Sequence, residues 1–373
     1  MQGAAMVGET GTATRDAAVR RLGERWIREL AREGEGSFVC SPAGLWLALT
    51  AVAAGARQET AAELRALLGV ADQEAAAVVT GAARDWERTG ALCVATRVWS
   101  RVPVLPEFEQ ALPGIPFGPM DPDGIDAWVC GRTGGLIERL PLELDDDVAL
   151  ALVNALALKA LWETPFAADR TVGLPFTDAA GTTRPAATMH AAVPVRDGWT
   201  VAGADVVELR CRREADGAAP ARIRLVLGEP GAGPDRVLPA AWAPFGERAP
   251  LDADRVTIAV PRFTLRTRIQ VTGQLAALGV RLANSAFAAD FSGLSPRRLH
   301  VSDVVQEAVL KIAEEGVEAA AVTVVTPRGL AAPRPQVVRH IAFDRPFGVV
   351  VLDGTSDVPL FAGWQADAPA YED

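Results

Sequence analysis

The stretch EEGVEAAAVTVVTPRGLAAPRPQ, residues 314–336, decides how the rest of the sequence is interpreted. Its first half is rich in Ala, Val and Thr, which suits a β-strand, whereas its second half carries the Pro, Arg and Gly of an exposed turn. EEGVEAAA also contains good helix formers, so a helix or an ordinary strand is the alternative for this stretch taken alone. The sequence thus places a strand-competent segment directly beside an exposed one.

The order of helical and strand patterns indicates the fold class. Helical spacing of apolar residues predicts helices over residues 16–34, 42–54 and 60–68, the last capped by Thr60 with Glu63 completing a capping box. Runs rich in Val, Leu and Ile predict strands at 92–98, 148–162, 206–209, 223–227 and 256–260. Helices crowd the first third and strands dominate the rest, so we expect one α+β domain over residues 1–373 with mainly antiparallel sheets.

Charge and apolar patterning exclude several classes of partner. The chain has 373 residues, a net charge of -10 and no basic run, so no nucleic-acid partner and no heparin-like cofactor is expected. The longest apolar run, 148–162, is interrupted by Asn154 and Lys159 and is too short to cross a bilayer, so no membrane partner is expected. The first residues lack a signal peptide, which favours a cytoplasmic protein, with export by another route as the alternative.

Motifs of catalysis and metal binding are missing from the sequence. The four cysteines form no CxxC pair and are expected to be buried thiols, and the three histidines fall in no HExxH pattern. GxSxG, GxxxxGK[ST] and GxGxxG motifs are also missing, and the acidic run at 145–147 is typical of a solvated turn. We therefore predict no catalytic residue, no metal and no cofactor.

Several separated segments share one resemblance. SPAGLWLALTAVAAGARQETAAEL (41–64), LVNALALKALWETPF (152–166), VSDVVQEAVLKIAEEGVEAAAVT (301–323) and FDRPFGVVVLDGTSDVPLFAGW (343–364) each resemble a signature of the serpins. The shorter segments IDAWVCGRTGGLI (125–137), PRFTL (261–265) and DFSGLS (290–295) fit the same order. The resemblance, to an inhibitory member of prokaryotic type, implies the serpin fold: three β-sheets with a large central sheet, eight or nine helices, and an exposed reactive-centre loop at about residues 314–340.

The resemblance also implies a function and a reactive bond. An inhibitory serpin is a monomeric suicide substrate whose partner is a serine protease, or a cysteine protease of similar preference. Its reactive residue lies fourteen positions after the hinge glycine, which places the bond at Leu330–Ala331 and suits a protease with an apolar primary pocket. Cleavage at Arg328, or less readily at the proline-flanked Arg334, would instead suit a trypsin-like protease.

The resemblance implies a loop hinge that is small enough to enter a sheet. The hinge residues carried over from the family are Glu314, Gly316, Val317, Glu318, Ala319, Ala320, Ala321, Val322 and Thr323. Alternation along a strand would place Val317, Ala319, Ala321, Thr323 and Val325 on one face, with the single charge of Glu318 on the other. Pro327 lacks a backbone donor, which limits insertion beyond Val325.

Four further positions are assigned by the resemblance. Ser41, Asn154 and Gln306 would form the hydrogen-bonded cluster that controls opening of the main sheet, with glutamine where histidine is common in the family. Trp162 would lie where the loop enters the sheet, and plain core packing is the alternative for this side chain. The competing hypothesis for the whole protein is a non-inhibitory, serpin-fold binding or chaperone-like protein whose loop is only a substrate.

Overall fold

The computed structural model describes residues 2–88, 92–113, 115–139, 149–158, 161–213, 219–316 and 337–370. Within these ranges the α-helices are α1 (Gln2–Glu33), α2 (Pro42–Ala53), α3 (Gln58–Leu68), α4 (Gln73–Glu87), α5 (Pro106–Ala111), α6 (Pro122–Arg132), α7 (Pro234–Val237) and α8 (Leu275–Leu278). Short 3-10 helices cover Ala168–Arg170, Val195–Asp197, Leu238–Trp242, Phe245–Glu247 and Val271–Gln274.

The strands fall into three sheets. They are β1 (Phe38–Cys40), β2 (Leu92–Ser100), β3 (Phe117–Pro119), β4 (Leu150–Leu158), β5 (Val172–Thr177), β6 (Thr183–Val193), β7 (Gly198–Val201), β8 (Ala204–Arg210), β9 (Arg222–Leu227), β10 (Ala249–Pro250), β11 (Arg255–Pro261), β12 (Phe263–Gln270), β13 (Asp303–Ile312), β14 (Val338–Ala342), β15 (Phe347–Leu352) and β16 (Pro359–Gln365). A seven-stranded sheet has the order β1-β16-β15-β9-β8-β7-β10, a four-stranded sheet β14-β11-β6-β5, and a five-stranded sheet β12-β13-β4-β2-β3. The α+β class expected from the sequence, with three sheets, is confirmed.

Helix α2 forms the centre of the core. All of its residues are buried, and it packs against β16, β4 and β2. Ser41 caps its N-terminus by accepting a hydrogen bond from the Gly44 N–H, and Pro42 occupies the first turn, where its missing N–H costs nothing. A helix that is apolar apart from Thr50 can remain stable here because it is covered on every side.

Two helix starts differ from the sequence-based expectation. Helix α1 begins at Gln2 and not at residue 16, although the expected apolar face is buried. Helix α3 begins at Gln58 with Arg57 at the cap position, so the capping box assigned to Thr60 and Glu63 is wrong. Both side chains bind a distant segment instead: the Thr60 hydroxyl accepts from the Asp290 N–H, and the Glu63 carboxylate accepts the backbone N–H groups of residues 281–283.

Helix α6 covers the outer face of the five-stranded sheet. Its Ile125 and Val129 side chains pack with Val153 of β4 and Val309 of β13 in a small apolar cluster. The Arg97 guanidinium of β2 lies 4.1 Å from the Trp99 ring centroid and 5.8 Å from that of Trp128 on α6. The cluster therefore joins α6 to strands on both sides of the β4–β13 boundary.

Candidate functional site

Strands β4 and β13 form a parallel ladder in the middle of the five-stranded sheet, which we call the seam. Seven residue pairs, from Asp303–Ala151 to Val309–Ala157, are in register along it. The outer neighbours, β12 beside β13 and β2 beside β4, are both antiparallel. Of the strand expected over 148–162, β4 covers Leu150–Leu158, and Leu161 and Trp162 form isolated bridges with Gly316 and Cys211.

A tight turn closes the top of β13. The Ala313 N–H donates to Gly316 O at 3.1 Å and the Gly316 N–H donates to Ala313 O at 3.3 Å, which defines the hinge turn, residues 313–316. Gly316 has a φ of 136°, a backbone conformation that favours glycine. It also forms an antiparallel bridge with Leu161, so it lies between the continuations of β13 and β4.

Segment 161–166 holds the hinge turn from the other side. The Trp162 N–H donates to Glu315 O at 3.0 Å, and the Phe166 N–H donates to Glu314 O at 2.7 Å. The Trp162 indole Nε1 donates to Ala313 O at 2.9 Å. The Trp162 side chain is 1% exposed and packs edge-to-face on Phe166, so Trp162 combines core packing with a direct contact to the hinge turn.

The two glutamates of the hinge turn are held differently. Glu314 accepts a hydrogen bond from the Thr171 hydroxyl at 2.8 Å and lies 3.7 Å from the Arg262 guanidinium. One carboxylate oxygen of Glu315 is buried with no hydrogen-bond partner among the described residues. An unpartnered buried oxygen costs free energy, so the Glu315 side chain does not stabilise the turn. The turn is held by the Glu314 side chain and by the backbone carbonyls of residues 313–315.

A buried amide contact lies lower in the sheet. The Gln306 side chain accepts from the Ser41 N–H at 2.6 Å and donates to Ser41 O at 3.0 Å, while the Ser41 hydroxyl donates to Leu360 O. Gln306 is 1% exposed and stands opposite Asn154 across the seam. The structure therefore brings Ser41 and Gln306 together beside the Asn154 backbone, and the Asn154 side chain lies outside the described residues.

A buried carboxylate faces the outer side of the seam. Glu307 of β13 accepts from the Arg266 Nε at 3.1 Å, and Arg266 also donates to Leu136 O in the segment that follows α6. Burial raises the pKa of Glu307, and the attraction of Arg266 offsets only part of that effect. The ionised form of Glu307 is therefore less favourable in the folded protein than in water.

One thiol lies beside the hinge-holding segment. Cys211 forms an antiparallel bridge with Trp162, and burial raises the pKa of its thiol to about 12. Burial also raises the pKa of Cys40. Both cysteines therefore stay protonated and unreactive near neutral pH, in line with the buried thiols expected from the sequence. Cys130 departs from that expectation, because its position on α6 leaves it only partly buried.

The expected reactive residues fall outside the part of the chain that the structure describes. These are Arg328, Leu330 and Ala331, together with hinge residues 317–323. Of the expected site, the structure describes Glu314, Gly316, Trp162, Ser41 and Gln306, and the backbone of Asn154.

Sequence reasoning missed three residues that hold the hinge turn. Phe166 stands at the end of the quoted segment 152–166, which could have drawn attention to it. Arg262 stands in the quoted segment 261–265, but that segment does not indicate a contact with Glu314. Thr171 carries no local signal, because it comes from a separate part of the chain and meets Glu314 only in the folded protein.

The described ranges contain no cluster of three metal-ligating side chains. None of the helices there combines the length and apolar composition needed to cross a bilayer.

Comparison with known proteins gives a consistent result. The family described as Serpin (serine protease inhibitor) matches residues 17–367. Serpin-Z2A of Oryza sativa subsp. japonica is 30% identical, covering 96% of this chain and 97% of its own, and Iripin-2 of Ixodes ricinus is 28% identical, covering 93% and 91%. The crystal structure of a thermophilic serpin, Tengpin, in the native state has a TM-score of 0.80 at 19% identity, covering 95% of this chain and 94% of that one.

Proposed function

We propose, since the chain belongs to the serpin family, that it is an inhibitory serpin: a suicide substrate that traps a protease when its cleaved loop enters the seam. Serpins are in general protease inhibitors and not proteases, and the family supplies the reaction type. Insertion of the reactive loop into a β-sheet is an established serpin property, so the mechanism is taken from the family and applied to this chain.

The observation that carries the proposal is the parallel seam with Gly316 already placed above it. A strand continuing from Gly316 would run antiparallel to both β13 and β4. Insertion would exchange one parallel ladder for two antiparallel ladders, and antiparallel pairing is slightly more stable per residue. The closed seam is therefore a metastable arrangement that cleavage of the loop would release.

The bridges of Gly316 also set the register that an inserted strand would take. Each step along the loop moves one step back along β13, so residue 321 would stand opposite Ala308 and residue 323 opposite Gln306. Ala308 and Leu310 face the main core. The odd-numbered loop residues from Val317 to Val325 would face that core, where small and β-branched side chains fit.

Trapping requires a covalent step supplied by the protease. The serine Oγ of the protease would attack the carbonyl carbon of Leu330, the bond to Ala331 would break, and the new amine on Ala331 would leave with the proton from the protease histidine. The protease would remain as an ester on Leu330. Insertion would then carry the ester away from the hinge turn before water hydrolyses it.

The target class follows from the reactive residue. Leu330 suits a chymotrypsin-, elastase- or subtilisin-like protease, and cleavage at Arg328 would redirect the inhibitor to a trypsin-like one. Incubation with each of these four proteases, denaturing gel electrophoresis and mass determination of the released C-terminal peptide test this directly. We expect a denaturant-stable complex with an apolar-specific protease and a peptide that begins at Ala331.

Two other outcomes would change the proposal. A released peptide that begins at Gly329 would move the reactive residue to Arg328. Complete cleavage without a complex for all four proteases would overturn inhibition of these classes and favour the non-inhibitory binding protein.

A further inference from the structure

The strap, which we define as helix α6 together with residues 133–137, lies across the outer face of the seam. Its apolar side chains pack in one cluster with three side chains of β2 and β4, whereas Val309 is the one β13 side chain of that cluster among the described residues. Trp128 of α6 also packs edge-to-face on Trp99 of β2, with ring centroids 6.2 Å apart. Since more of these contacts are made with β2 and β4, the strap would move with those two strands if the seam opened.

Residues 133–137 are fixed to the end of α6. The Thr133 hydroxyl donates to Val129 O at 2.8 Å and accepts from the Ile137 N–H at 3.1 Å. Both Thr133 and Ile137 are fully buried, and the Leu136 N–H donates to Thr133 O at 3.3 Å. The backbone carbonyl of Leu136 therefore keeps a fixed position relative to the helix.

A polar contact joins the strap to the other side of the seam. Arg266 of β12 donates from one guanidinium nitrogen to Leu136 O at 2.8 Å, and from Nε to Glu307 Oε1 of β13 at 3.1 Å. The Glu307 side chain is 9% exposed and holds the guanidinium in place. Eight residue pairs join β12 to β13 in register, so Arg266 would move with β13.

Opening the seam would therefore break the contact between Arg266 and Leu136. A strand that enters between β4 and β13 needs a further spacing of about 4.8 Å. A hydrogen bond of 2.8 Å does not survive such a displacement. A contact that is present in the closed seam and lost on opening raises the barrier to opening.

We propose that Arg266 is a positioning residue that ties the strap to β12 and thereby slows the opening of the seam. Glu307 sets the orientation of the guanidinium, and Leu136 supplies the acceptor on the strap. The inference deepens the proposed function and rests on it, because the opening rate matters only where a strand enters the seam. The tie would set how fast a cleaved loop enters, and hence how well insertion competes with hydrolysis of the ester.

The experiment measures how fast the intact full chain takes up a free strand. A fluorescein-labelled peptide with the sequence of residues 317–325, VEAAAVTVV, is mixed with the protein, and its anisotropy is followed over time. The same peptide with Ala321→Arg is the comparison, because an arginine that faces the core opposite Ala308 would not enter the seam.

All variants carry Glu307→Gln, because removing Arg266 alone would leave a buried carboxylate without its partner. Glu307→Gln by itself is the reference, since Arg266 can still donate to Leu136 O. Adding Arg266→Met removes the tie, and adding Arg266→Lys keeps a donor at the same position. Adding Arg25→Met, at an exposed arginine of α1, is the matched control.

We expect the Arg266→Met protein to take up the peptide about fivefold faster than the reference, since one hydrogen bond no longer opposes opening. The Arg266→Lys and Arg25→Met proteins should stay within about twofold of the reference.

Two kinds of result would contradict these expectations. Equal rates for Arg266→Met and the reference, or equal acceleration by Arg266→Lys or Arg25→Met, would overturn the tie and leave the proposed function standing. No uptake by any protein, or equal uptake of the two peptides, would overturn opening of the seam and with it the proposed function. Circular dichroism of every variant checks that the fold is kept.

Discussion

Gly316 forms an antiparallel bridge with Leu161, three residues beyond the end of β4, while it closes a tight turn with Ala313 beyond the end of β13. The first position of a new strand is thus already occupied above the parallel seam. In the proposed mechanism the hinge turn would need no backbone rearrangement before further residues follow. The barrier to insertion would then lie in opening the seam and not in forming its turn.

Replacing Trp162 by phenylalanine should loosen the hinge turn. The change removes the indole N–H that donates to Ala313 O and keeps an aromatic ring in the core. We expect the free energy of unfolding of the intact protein to fall by about 1 kcal/mol more than in the control Trp99→Phe. Trp99 is a suitable control because its indole N–H is buried without a partner in the described structure. Equal losses in urea denaturation would contradict a role for the hydrogen bond.

An exposed charge pair should form only after insertion. In the register set by Gly316, Glu318 would stand opposite Lys311 on the outer face of the sheet. Lys311→Glu should destabilise the loop-cleaved form by about 0.5–1 kcal/mol, because two like charges would face each other across neighbouring strands. The swap Lys311→Glu with Glu318→Lys should restore it. Unfolding of the cleaved proteins in guanidinium measures the stability of the single variant and of the charge swap. If the charge swap is as unstable as Lys311→Glu alone, this register is wrong.

The two ion pairs of the buried Arg224 side chain lie outside the seam and should contribute strongly to the stability of the fold. The Arg224 side chain is 1% exposed, with Glu208 Oε2 and Asp357 Oδ1 each 2.9 Å away. Asp357→Asn should lower the free energy of unfolding by about 2–3 kcal/mol, since it leaves Arg224 with one carboxylate. The exposed Asp252→Asn variant should change it little. Similar urea midpoints for the two variants would contradict this assignment.

The contribution of Asp357 to the free energy of unfolding should depend on pH. Burial acts to raise the pKa of Asp357, but attraction to Arg224, Arg222 and Arg248 outweighs it and holds the pKa below its usual value. A lowered pKa stabilises the folded state above the unfolded pKa, and this stabilisation is lost as the pH falls through the folded value. The loss in the free energy of unfolding that Asp357→Asn causes should therefore become smaller in strongly acidic solution. A deficit that is constant with pH would show that packing, not charge, causes it.

The ionised carboxylate of Glu307 should destabilise the folded state, whereas that of Asp357 stabilises it. Its pKa is raised, chiefly by burial, so its ionised form destabilises the folded state once the pH exceeds the ordinary glutamate range. Glu307→Gln should raise the free energy of unfolding at neutral pH by about 1 kcal/mol or less, and the gain should vanish below about pH 4. Arg266 can still donate to the amide oxygen. Stabilisation that persists unchanged in acid would contradict the electrostatic explanation.

The sequence predicted those elements of the fold whose local residue pattern matches their burial in the structure. Strands β8, β9 and β11 were predicted from runs of Val, Leu and Ile, and the contact between Ser41 and Gln306 was expected from the resemblance. Thr60 and Glu63 misled because their spacing fits a local cap, whereas tertiary partners hold both side chains. The anchoring of Glu314 by Thr171 and Arg262 could not be predicted, since it depends on how three separate segments meet.

The measurement that tests the central claim most directly is the unfolding temperature of the protein before and after cleavage of its loop by a catalytic amount of thermolysin, a zinc protease that forms no acyl-enzyme and is therefore not trapped. We expect cleavage to raise it by more than about 10 °C, because the inserted strand would replace one parallel ladder at the seam by two antiparallel ladders. Ala321→Arg, cleaved in the same way, should stay near the intact value, since its arginine would face the core opposite Ala308. An unfolding temperature that does not rise in the unaltered chain would contradict insertion.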